Sequence, residues 1–314
     1  MAIDAIVELI APDRRSVRVA VETKSQLDPK NVVAVIEAFR VADVSPPFLV
    51  ISRYLSPSVR ERLRERTINF LDLTGNTYLV VREPGLFIET QGANEDPDRD
   101  ERSARSLRGP KAGRIVRVLV DSKDPPGVRE LAAAAGVDAG YTSRVLAFLD
   151  SEALVTRVGH GRLQSVNWPA LLRRWALDAP LEARGAIGTY LEPRGLPSFL
   201  ARLGKSTETY AVTGSLAAAR FAPSASSRLG TVWVRDAKEA AVRLGLRPAD
   251  SGANVLLIEP SDEGVLRGAA QHEGVVYAAP SQVAADLLTS PGRGPAEAEE
   301  LIAWMQEHED VWRG

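Results

Sequence analysis

The amino-acid sequence predicts a multi-domain chain of mixed α/β (α+β) class, and three observations carry that expectation. Strand-like and helical segments alternate over residues 1–91. A charged stretch rich in Pro and Gly, Gln91 to Gly113, then interrupts the apolar periodicity. Beyond it, three short helical patterns precede two alternating segments joined at Gly159-His160-Gly161. A length of 314 residues also exceeds one ordinary domain. The expected division is an α/β module at 1–91, a linker at 92–109, a helix-turn-helix with a wing at 110–176 and a second α/β module at 177–314.

Composition narrows the function classes. A hydrophobic share of 45% with 25% charged residues is a globular balance. No apolar run reaches the roughly 18 residues of a membrane span, and the first residues lack a signal-peptide pattern. The absence of cysteine excludes disulfides, thiol catalysis and Cys-ligated metals. Three histidines, His160, His272 and His308, leave little for a His-rich metal centre. A cytoplasmic protein without a cofactor is expected. With a net charge of −2, nucleic-acid binding would need locally concentrated positive charge.

In the first module, Asp4–Ala11 and Val17–Glu22 flank a turn-like Pro12-Asp13-Arg14-Arg15. Asp28 and Pro29 open a helix over 31–40, Phe48–Ser52 reads as a strand, and Ser56-Pro57 opens a second helix. Asn69–Leu73 and Tyr78–Val81 form a strand pair about a Thr-Gly-Asn turn. Asp4 begins one strand, while Glu22 and Lys24, two apart, share a face near the end of its partner. Two carboxylates and a lysine so placed suit Mg²⁺ binding and water activation for phosphodiester cleavage. The pattern resembles the core of PD-(D/E)XK nucleases, in which an Asp precedes Glu-x-Lys on the next strand. Beside catalysis stand two other readings: an ordinary polar strand end, or a nuclease fold kept as scaffold.

Arg114–Ser122 carries apolar residues at 115, 116, 118 and 119, a helical stripe. Val128–Gly136 is a short helix capped by Gly136, and Asp138 caps a third helix whose inward face is Val145, Leu146 and Leu149. A tight turn at Gly136-Val137 separates them, followed by a hairpin, the wing. This order is that of a winged helix-turn-helix, in which the third helix enters the DNA major groove. Tyr141, Thr142, Ser143 and Arg144 begin that helix and suit base edges and phosphates. Arg157, His160 and Arg162 on the wing, with Lys111 and Arg114 at the first helix, complete the expected DNA-binding set. Residues 101–176 hold 13 Lys and Arg against 7 Asp and Glu, a local surplus of six positive charges. The alternative is a winged helix used only for protein contact.

In the third module, strands are expected at Tyr210, Thr231–Asp236, Asn254–Glu259 and Val275–Ala278, and helices from Pro280 and around Pro295. Gly214-Ser215 after a strand hints at a nucleotidyltransferase, but Asp236 has no acidic partner two residues away, so a packing turn is the better reading. Gln282, Asp286 and Arg293 are polar residues on or after a helix; Gln282 and Asp286, one turn apart, can share a face, and a structural hydrogen-bond or salt-bridge role is expected, with partner contact as the alternative.

Taken in order, these segments resemble the AbiEi-type transcriptional regulators, antitoxin-like proteins of type IV toxin–antitoxin systems. The resemblance rests on NFLDLTGN (69–76) after PFLVISRYLSP, on GPKAGRIVR, on NWPALLRRWA, and on AVTGSLAAARFAP, SGANVLLI and APSQVAADLLTSPGRG. It implies a double-stranded DNA-binding regulator, often an autorepressor, with a nucleotidyltransferase toxin encoded nearby. The nuclease-like first module and the central winged helix depart from the short antitoxins, so a stand-alone regulator is an equal expectation. A homodimer is expected because symmetric operators match two-fold proteins.

Overall fold

β-branched and aromatic residues at alternating positions build a mixed sheet from the first ninety residues. The computed structural model describes residues 3–41, 47–98, 106–158, 162–222 and 227–314. Contacts group the chain into two compact units, 1–103 with 147–153, and 104–146 with 154–314. The expected central and C-terminal modules thus lie mainly within one unit.

In the first unit the order is β1 (Ala5–Ile10), β2 (Ser16–Lys24), α1 (Val32–Val41), β3 (Phe48–Ser52), α2 (Pro57–Glu65), β4 (Asn69–Asp72), β5 (Thr77–Val81) and β6 (Leu86–Thr90). Among the described residues these strands form one sheet in sequence order. β2, β3 and β4 are parallel, and the pairs at either end are antiparallel. Val32, Val35, Ile36 and Phe39 of α1 and Val59 and Leu63 of α2 cover one sheet face, over Ala20, Val50 and Phe70. Ser56 caps α2, its hydroxyl accepting from Val59 N at 3.3 Å, as the Ser-Pro start leads one to expect. The Asn69–Asn76 motif closes on Asp72, which accepts from Leu55 N, Thr74 N, Thr74 Oγ1, Asn76 N and Asn76 Nδ2 at 2.6–3.1 Å.

The second unit begins with α3 (Pro110–Asp121), α4 (Val128–Ala135) and α5 (Ala139–Ser151), whose last turn groups with the first unit. A two-stranded hairpin, β7 (Val155–Val158) and β8 (Arg162–Val166), and α6 (Trp168–Asp178) follow. After α7 (Leu181–Arg184) come β9 (Gly185–Leu191), α8 (Leu196–Leu203), β10 (Tyr210–Thr213), α9 (Gly214–Ala218), β11 (Gly230–Val234), α10 (Ala237–Leu244), β12 (Arg247–Pro248) and β13 (Val255–Pro260). β14 (Ala270–His272), β15 (Val275–Tyr277), α11 (Pro280–Leu288), α12 (Gly294–Glu307) and α13 (Glu309–Trp312) complete it. The strands from β9 to β15 make a second mixed sheet in the order β12-β9-β13-β11-β10-β15-β14.

α3 is buried around most of its circumference, from Ala112 to Val120, and the buried set includes Arg117. A buried cation needs partners. Arg117 Nη1 donates to Gln282 Oε1 at 2.5 Å, and Nη2 donates to Arg267 O at 2.7 Å and Asp121 Oδ2 at 3.2 Å. Gln282 Nε2 donates to Asp286 Oδ1 at 2.7 Å, as the one-turn spacing predicts. Asp286, fully buried, also accepts from Arg184 Nη1 at 2.8 Å, Thr213 Oγ1 at 2.6 Å and Trp233 Nε1 at 2.8 Å. One carboxylate therefore joins α7, α11 and two sheet strands, and through Gln282 reaches α3.

Removing one partner of a buried ion pair costs about 3–5 kcal/mol because the other charge is left uncompensated. Asp286→Ala is expected to lower the unfolding free energy by about that much in urea titration. Val242→Ala, at a side chain 81% exposed, should change it by less than about 0.5 kcal/mol.

Candidate functional site

The α4–α5 junction is built from its caps. Gly136 has φ 62°, a left-handed conformation that costs glycine little, and its N–H and that of Val137 close onto Ala133 O and Ala132 O at 3.1 and 3.0 Å. Asp138 then starts α5, its Oδ1 accepting from Tyr141 N at 2.7 Å. The chain reverses within two residues and both helix ends are satisfied, so the start of α5 is held rigidly.

Which side chains α5 presents follows from its period. Thr142, Val145, Leu146 and Leu149 recur at i, i+3, i+4 and i+7, and all four are fully buried. Thr142 was expected at the DNA-facing surface; instead its hydroxyl donates back to Asp138 O at 3.0 Å, inside the fold. The opposite face is Ala139, Gly140, Ser143 and Arg144, all exposed, with Tyr141 half-buried at its edge. The Arg144 guanidinium lies 5.7 Å from the centre of the Tyr141 ring.

The other expected contacts divide. Lys111 is exposed at the start of α3 and Arg162 is exposed on β8. Arg157 is half-buried on β7, next to a register shift in the hairpin, and His160 lies outside the described residues. Arg114 is a correction: its Nε donates to Asp262 Oδ1 and Oδ2 at 2.9 and 3.1 Å, and Nη2 to Oδ2 at 2.5 Å, so it ties α3 to the loop after β13. Counting acids only within residues 101–176 overstated the local surplus. Asp262, Glu299 and Asp310, far along the chain, neutralise Arg114, Arg173 and Lys123. Lys111, Arg129, Arg144 and Arg162 have no carboxylate partner among the described residues.

Comparison with protein-family models, with curated proteins and with solved structures found no match. Function must therefore be read from the geometry.

In the first unit the β1–β2 pairing ends at Ala5 and Val21, the chain neighbours of Asp4 and Glu22. Asp4, exposed, accepts from Thr23 Oγ1 and Thr23 N at 2.7 and 2.8 Å, and these bonds hold its carboxyl below the ordinary value. Glu22 is buried; Lys24 Nζ donates to its Oε1, while Oε2 is buried without a partner. Among the described residues no three His, Asp or Glu side chains are grouped to share one ion. At the Gly214-Ser215 turn a Cβ on Gly214 would meet Thr231 Cβ at 3.3 Å, and Asp236 caps α10 by accepting from Glu239 N at 2.8 Å.

The Arg114–Asp262 pair gives a pH-dependent stability. Arg114, then Gly264 N–H, hold the Asp262 carboxyl below its ordinary value of 3.8. A carboxylate whose pKa falls on folding stabilises fully above its unfolded pKa, and loses that contribution as pH drops through the folded value. Below about pH 4, wild type should therefore lose stability more steeply than Asp262→Asn in chemical denaturation across pH 2.5–6. Equal slopes would show that the pair does not contribute.

Proposed function

We propose that this protein is a transcriptional regulator that binds double-stranded DNA through a winged helix-turn-helix formed by α3, α4, α5 and the β7–β8 hairpin. The observation that carries the reading is the outward face at the start of α5, where Ser143 and Arg144 stand exposed on a helix pinned by Gly136 and Asp138. In a helix-turn-helix the first residues of the second helix of the motif reach base edges. Arg144 is suited to a guanine, and Ser143 to a base or phosphate. Lys111, Arg129 and Arg162, none of them paired to an acid, suit the phosphate backbone. Thr142, buried, and Arg114, paired with Asp262, are removed from the contact set. The resemblance to AbiEi-type regulators adds the proposal of autorepression as a homodimer, with a toxin encoded nearby as partner.

Genomic fragment selection followed by titration of the selected duplex tests this. Arg144→Ala should cost about 1–3 kcal/mol and relax preference at one base position. Lys111→Ala should weaken all sequences alike and make the salt slope shallower by about one. Unchanged binding to every sequence by Arg144→Ala would remove α5 from the interface.

A second reading is a metal-dependent nuclease. It is favoured by Asp4 and Glu22 adjoining the last β1–β2 pair and by the partnerless, buried Glu22 Oε2. Those two carboxylates would hold a divalent cation, which supplies Lewis acidity and lowers the pKa of water, with Lys24 beside them. Cleavage of duplex DNA in Mg²⁺ or Mn²⁺ by wild type and its loss in Glu22→Ala is the expected outcome on this reading. Intact DNA with both proteins leaves the first unit as scaffold.

A further inference from the structure

Arg220 is a cation in an unusual position within the second unit. It follows α9, is half-buried, and its side chain makes no hydrogen bond or ion pair among the described residues. Its guanidinium carbon lies 4.3 Å from the centre of the Tyr277 ring and 5.0 Å from that of Phe221, and its Nε is buried without a partner. Elsewhere in this unit the buried guanidiniums of Arg117 and Arg184 are each bound to a carboxylate. Glu273 acts on Arg220 through space only, beyond ion-pair distance.

Arg220 borders a solvent-open cavity of about 600 Å³, whose walls include Ser122, Phe221, Arg267, Tyr277 and Trp312. That volume is within the range of small-molecule sites. The one acidic side chain on the wall, Asp121, is already occupied: Oδ1 accepts from Ser281 Oγ at 2.5 Å and Oδ2 from Arg117 Nη2 at 3.2 Å. Arg267 presents a second guanidinium, bound only to a backbone carbonyl, Ala134 O, at 2.8 Å. The cavity thus combines an uncompensated cation with three aromatic side chains.

We propose that this cavity binds a small aromatic anion, a planar ring bearing a carboxylate or phosphate, with the acid group on Arg220 and the ring against Phe221, Tyr277 and Trp312. A guanidinium fork matches either oxyanion in bidentate fashion, and stacking on Tyr277 fixes its plane. Apolar ring faces lose little by leaving water for such a wall, and the ring supplies the contact area that a bare oxyanion lacks.

The site is tested by calorimetric titration of the full chain, without DNA, so that the outcome is independent of the regulator reading. The probes are benzoate, salicylate and the four common nucleoside monophosphates, with inorganic phosphate and benzamidine as counterparts lacking the ring or carrying the opposite charge. At least one aromatic anion should bind with a Kd tighter than about 1 mM, more tightly than phosphate, while benzamidine does not bind. Arg220→Gln should weaken that binding at least about tenfold. Ala270→Glu supports the result independently of any folding defect in Arg220→Gln. Ala270 is exposed on the edge strand opposite Tyr277, and the new carboxylate would pair with Arg220 and exclude the ligand while the fold is retained by circular dichroism. Binding no tighter than phosphate by every aromatic anion, equal binding of benzamidine, or undiminished binding by both variants overturns the proposal.

Discussion

The carboxylate of Asp286 is the constraint around which the second unit is arranged. Sealed from solvent, it meets four donors from four different places in the chain, Arg184, Thr213, Trp233 and Gln282. A buried ion pair of this kind adds little net stability against an apolar packing of the same volume. What it does impose is geometry, since each donor must arrive at the correct angle or leave a charge unanswered. Gln282 passes that requirement on to Arg117, so α3, the first helix of the three-helix segment, is tied to α11.

The same interdependence shapes the electrostatics. A cation-rich segment would by itself present a broad positive surface, yet Arg114, Arg173 and Lys123 are drawn into pairs with acids that lie more than a hundred residues later. Positive charge that survives is confined to a few side chains, Arg144 foremost. For the proposed DNA-binding role this means modest affinity from counterion release, with discrimination left to the short polar face of α5.

Much of the architecture was legible in the residues. Alternating Val and Ile, the Ser-Pro helix start, and Gly136 before Asp138 each have a local cause that acts the same way in any context. β9 escaped notice because Gly185 and Gly188 weaken its strand pattern, and β6 because it runs into the polar stretch that follows. Thr142 was misplaced by chemistry: a hydroxyl suggests a surface, whereas its spacing from Val145, Leu146 and Leu149 puts it inside. Arg117 and Arg184 were illegible in principle. Residue type argues for exposure, and their partners lie 165 and 102 positions away. Arg220 and its aromatic neighbours escaped for the same reason, since Tyr277 joins them only through the sheet.

Arg117 also bears on how such a protein can be dissected and how it can evolve. Cutting the chain after α6 would strip Gln282 and the Arg267 carbonyl from a guanidinium in the middle of an apolar helix, and leave it Asp121 of the same helix. The three-helix segment is therefore a poor transferable cassette: a recombination joining it to an unrelated C-terminal partner must supply new acceptors for Arg117 or replace it. Where the boundary between parts is drawn by hydrogen bonds, exchange between genes is limited to cuts that leave those bonds whole.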